Sequence, residues 1–128
     1  MKLSRVAIHV AVAILVVGAV GLGAATAHEK KIKSIVTLNF SGGLYGEGFS
    51  GKVSSKKKKC RQGRKVRVRR DGTVVGTDVT NKRGKYHVGN ANPPPGTYVA
   101  KAKKKVIKKN ANHKHVCKKA TSVPVVVP

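Results

Sequence analysis

The residue types best suited to chemistry stand near the C-terminus, in His113-Lys114-His115-Val116-Cys117. Two imidazoles beside a thiol are ligand types for a transition metal. The other cysteine, Cys60, stands alone, whereas zinc sites built on sulfur show a close pair such as C-x2-C. An even cysteine count in an exported chain points instead to a Cys60–Cys117 disulfide. Closing a loop of that span should stabilise the fold by about 4 kcal/mol on the chain-entropy model. A third imidazole, His28, is expected to open the mature chain, where a terminal amine and imidazole together can bind copper. His28 with His113 and His115 is therefore a metal-binding alternative, and no cofactor is assigned. Catalysis has little to work with. The only carboxylates are Glu29, Glu47, Asp71 and Asp78, too few and too dispersed for paired acid–base work, and no Ser-His-Asp arrangement suggests itself. The chain is expected not to be an enzyme.

The second chemistry is electrostatic. Ser55–Arg70, SKKKKCRQGRKVRVRR, contains ten lysines and arginines in sixteen positions. The full chain of 128 residues has 28 basic residues against four acidic ones. Two of the basic residues, Lys2 and Arg5, precede His28, which leaves 26 against four and a net charge of +22 with histidines neutral. Such a surface draws the protein to anionic polymers but says nothing about fold. The candidate point charges are Lys56, Lys57, Lys58, Lys59, Arg61, Arg64, Lys65, Arg67 and Arg69, with Lys103, Lys104 and Lys105 further along. An anionic cell-wall polymer or an acidic polysaccharide is the expected partner. Lysine runs give salt-sensitive phosphate affinity in any protein. Single-strand readers, however, interleave aromatic residues for stacking, and Lys56–Arg70 has none. No specific nucleic acid is expected.

The elements that hold these residues follow an export signal. Lys2 and Arg5 precede an apolar run, Val6–Val20, and Ala25-Thr26-Ala27 offers small residues where a signal peptidase reads. Residues 1–27 are read as a signal peptide cut between Ala27 and His28. The alternative is a retained anchor helix, since Val6–Ala27 could just span a bilayer. Residues 28–33 are read as a linker and 34–128 as one domain, secreted and free of the membrane after cleavage.

Within that domain hydrophobic residues alternate. Ile32, Ser34, Val36, Leu38 and Phe40 share one face of a strand, and Val66 and Val68 oppose Lys65, Arg67 and Arg69. Asp71-Gly72 reads as a tight hairpin turn, after which Val75, Thr77 and Val79 line one side of the next strand. Asn81–Gly84 is a second turn, and Tyr98, Ala100 and Ala102 oppose Val99, Lys101 and Lys103. Lys103–Lys109 is read as turn and strand rather than helix. Val123, Val125 and Val127 alternate in a last strand, which Pro124 and Pro128 place at an edge. About seven short strands at spacings of about ten residues describe an all-β sandwich. Its apolar content is lean enough to need the disulfide as a staple.

Thr77-Asp-Val-Thr-Asn-Lys-Arg-Gly-Lys-Tyr86, followed by Pro95-Gly-Thr-Tyr98, resembles the carboxypeptidase regulatory-like or transthyretin-like (prealbumin-like) sandwich over about half of the mature chain. Cys60 with Gly63–Val66, and Cys117 with Lys118–Ala120, also resemble small basic secreted proteins of high-GC Gram-positive bacteria. The resemblance implies a non-catalytic accessory domain of immunoglobulin-like or prealbumin-like topology. Relatives of this kind sometimes bind carbohydrate, which makes a carbohydrate-binding module a further alternative, with Tyr45, Tyr86 and Tyr98 as the only tyrosines for a stacking platform.

Overall fold

The computed structural model describes residues 28–128. The expected signal peptide, Ala27 included, lies outside the described residues. In chain order the strands are β1 (His28–Ile32), β2 (Ser34–Val36), β3 (Asn39–Ser41), β4 (Gly48–Ser55), a single helical turn α1 (Lys58–Arg61), then β5 (Lys65–Arg70) and β6 (Thr73–Val79). They continue as β7 (Lys85–Val88), β8 (Gly96–Ala102), β9 (Lys105–Lys109), β10 (His113–Cys117), β11 (Ala120–Thr121) and β12 (Val125–Val127).

Two antiparallel sheets form the sandwich. In one, β4 lies between β7 and the pair β2 and β3. In the other the order is β8, β5, β6, with β11 and β12 both along the free side of β8. Counting β2 with β3 and β11 with β12 as interrupted edge strands, the sandwich has the expected seven. Val36, Leu38, Phe49, Val53, Tyr86 and Val88 from the first sheet meet Val66, Val68, Tyr98, Ala100, Ala102 and Val127 from the second. Strand alternation puts these residues inside, because one face of each sheet is wet and the other dry. The Asp71-Gly72 turn has φ values of 47° and 86°. Two positive values in a two-residue hairpin match the right-handed twist of its strands.

Two expectations need correcting. Residues 28–32 are not a linker: β1 runs parallel to β10, which also pairs with β9, to make a third, smaller sheet beside the sandwich. In β6, Val75 and Val79 face solvent, while Gly76, Asp78 and Thr80 turn inward. An irregularity between Val68 and Arg69 shifts the β5–β6 register there. The side of Gly76 is occupied by Val88, whose Cγ1 would lie 2.2 Å from any added Cβ. Packing from the opposite sheet therefore overrides the local valine pattern.

Candidate anion-binding groove

The basic block divides on folding, and its most buried member is not a surface charge at all. Arg64 is fully buried. Its Nη1 donates to Ser34 Oγ and to the Cys60 carbonyl, both at 2.8 Å. Its Nε and Nη2 donate to the Lys103 carbonyl at 3.1 and 2.8 Å, and Nη2 also reaches the Lys118 carbonyl at 2.9 Å. No carboxylate takes part. The planar fork of five N–H donors suits such a set of oxygens. Burial lowers the pKa of the guanidinium from its ordinary value. Arg64 thus leaves the anion-binding set, because it ties together segments that the sequence separates widely.

Beside it the Cys60–Cys117 disulfide is formed, with Cα atoms 5.4 Å apart. Cys60 is carried inward by α1, which leaves Lys58 and Lys59 in solvent. With Ile32 and Ile107 the two sulfurs form a small apolar cluster separate from the main core. Lys105 is also drawn into structure here, its Nζ donating to the Gln62 carbonyl at 2.9 Å.

Eight other cations converge elsewhere. Arg67 and Arg69 project from the outer face of β5, and Lys101 projects from β8 directly opposite Arg67. Lys103 and Lys104 follow at the end of β8, Lys118 and Lys119 follow β10, and Lys31 stands on β1. Together these eight line a groove of about 620 Å³ between the sandwich and the small sheet, with Glu29 as its one carboxylate. Arg69 Nε has no hydrogen-bond partner among the described residues. Eight like charges along one groove repel one another, and a bound anion would relieve that repulsion.

Of the residues expected from the sequence, Arg67, Arg69, Lys103 and Lys104 are in this groove. Lys56 and Lys57 line a second one of about 640 Å³ with Lys30, Lys31 and Lys33. Lys65 is exposed outside both, and Arg61 is half-buried. Sequence reasoning missed Lys31, Lys101, Lys118 and Lys119. The outward position of Lys101 was legible from its alternation with Ala100 and Ala102. Its meeting with Lys31 and Lys118 depends on how the small sheet docks.

The two aspartates serve structure. Asp78 accepts the backbone N–H groups of Val79 and His87, each at 2.8 Å. Asp71 lies 3.9 Å from Arg70 in the one ion pair among the described residues. No three His, Cys, Asp or Glu side chains among the described residues cluster as metal ligands. The β1–β10 register does bring His28 opposite His113, with ring centroids 6.3 Å apart. His115 lies between Lys30 and Lys108 on the neighbouring strands. Desolvation first, then Lys108, Lys30, His113 and Lys57, lower its pKa. Of the tyrosines, Tyr86 and Tyr98 are buried, donating to the carbonyls of Thr37 and Pro94, and Tyr45 alone is exposed.

Comparison with family models, curated proteins and solved structures finds no match to this chain.

Proposed function

We propose that the protein is an exported, non-catalytic β-sandwich that attaches to an anionic polymer of the cell envelope through the β5–β8 groove. The observation that carries this reading is the gathering of eight cations and one carboxylate around a single groove. A polymer with regularly spaced phosphates or carboxylates would neutralise several of them at once and release its own counterions. We read the sandwich itself as of the carboxypeptidase regulatory-like or transthyretin-like kind. The support is the Asn81–Gly84 turn, which places Tyr86 in the core, and Pro95-Gly-Thr-Tyr98, which opens β8. The neutral-sugar alternative is less well supported, because one exposed tyrosine is a poor stacking platform.

The test compares two triple substitutions of similar charge change on purified wall carrying teichoic acid and, separately, on an acidic polysaccharide such as alginate. Arg67→Glu with Lys101→Glu and Lys103→Glu should weaken retention by about tenfold or more. Lys56→Glu with Lys58→Glu and Lys59→Glu should weaken it by less than about threefold. For the unsubstituted protein, raising salt from about 50 to 500 mM should release it from either polymer. Equal losses from both triple variants would show a general charge effect rather than a groove. Retention indifferent to salt would overturn the electrostatic reading altogether.

A further inference from the structure

His28 and His113 are far apart in sequence and adjacent in space. In the parallel β1–β10 pair they stand in direct register, and their rings lie on one face at 84° to each other with centroids 6.3 Å apart. With metal–nitrogen bonds of about 2.0 Å and about 1.1 Å from ring nitrogen to ring centre, two imidazoles across one ion have centroids about 6 Å apart. Both residues are exposed, so no packing resists the rotation needed to aim a nitrogen of each ring at a common point. The register itself is held firmly: the same strand pair continues to Ile32 opposite Cys117, whose sulfur is bonded to Cys60.

The main-chain nitrogen of His28 is close by, donating to the Asn112 carbonyl at 2.9 Å beside His113. If the chain is cut between Ala27 and His28, that nitrogen becomes an amine able to close a chelate ring with its own imidazole. We propose that the mature chain binds one divalent transition-metal ion, copper(II) by preference, through the His28 amine and imidazole and the His113 imidazole. Three neutral nitrogen donors favour copper(II) over the other divalent first-row ions. The lysines around the site oppose any cation, and Glu29 projects to the opposite face of β1 by strand alternation. The two rings alone are therefore insufficient, and the amine is required. His115 is not a ligand, because Lys30 and Lys108 flank it on both sides.

The inference shares with the proposed function only the cut before His28, and the intact mass of the exported, oxidised protein reports that cut first. Copper(II) is then titrated against a competing chelator at neutral pH and the complex examined by electron paramagnetic resonance. One ion per chain and coupling to three nitrogens are expected. Affinity should fall by about tenfold or more in His113→Ala and in a chain whose N-terminal amine is removed by fusing a carrier protein before His28, and stay within about twofold in His115→Ala. Since His113 is exposed, its variant should keep the parent's mass difference between oxidised and reduced forms and its circular dichroism. The proposal is overturned if the chain begins elsewhere, if His113→Ala binds as tightly as the parent, or if fusion of a carrier before His28 makes no difference. Loss of polymer binding with copper binding intact would count against the groove and leave the metal site standing.

Discussion

The sandwich and the small β1–β10–β9 sheet are built from similar strands but held by different forces. The sandwich closes over a cluster that includes Phe49, Tyr86, Tyr98 and several valines. The small sheet buries little beyond Ile32, Ile107, Val116 and the two cysteines. Its strands are otherwise rich in lysine and histidine, and burial alone returns too little to order them. Covalent and polar ties make up the difference: one disulfide and one arginine whose hydrogen bonds reach Ser34, Cys60, Lys103 and Lys118. A lysine-rich wall for the groove is possible because these ties, and not apolar packing, set its position.

The largest effect should come from the disulfide. Replacing Cys60 and Cys117 together by alanine should cost about 4 kcal/mol. Hydrogen exchange should show β1, β9 and β10 losing protection well before β4, β5 and β8. Uniform loss across both regions would show instead that they unfold as one unit.

Arg64 comes next. Arg64→Met leaves three carbonyls and the Ser34 hydroxyl without their donor and should cost about 3 kcal/mol in urea unfolding. Arg64→Lys should recover at most about 1 kcal/mol, since an ammonium cannot span acceptors placed for a planar fork. Arg67→Ala, on the outer face of β5, should change stability by less than about 0.5 kcal/mol. Equal costs at positions 64 and 67 would remove the buried arginine as the link between the two regions.

The smallest effect belongs to the sandwich alone. Burial pushes the Tyr86 phenol well above the usual tyrosine range. The folded state therefore keeps a proton that the unfolded chain gives up near pH 10.0. The stability this contributes is fully present below that pH and is lost as pH rises above it. Tyr86→Phe gives up the hydrogen bond to Thr37, about 1 kcal/mol at neutral pH. It should also flatten the fall in unfolding midpoint between about pH 9 and 11. A midpoint in the parent that stays level over that interval would contradict the burial of this phenol.

Much of the sandwich could be read from residues near one another in the chain. Val66 and Val68 point inward, Asp71-Gly72 turns the chain, and Ile32 to Leu38 alternate as expected. Where the reading failed, a distant neighbour intervened. Val75 and Val79 face outward because Val88 fills the space over Gly76. Residues 28–32 form a strand because β10 offers them a parallel edge. Nothing local to Lys30 or Lys31 signals that edge.

The sequence by itself determined the sheet character, the solvent-facing rows of cations and the pairing partner of each cysteine, since alternation and an even thiol count are properties of the chain. Tertiary structure alone decided which cations meet, that Arg64 sits inside, and that His28 faces His113. Convergence depends on which strands become neighbours, and only the folded backbone brings together oxygens and charges from segments so far apart.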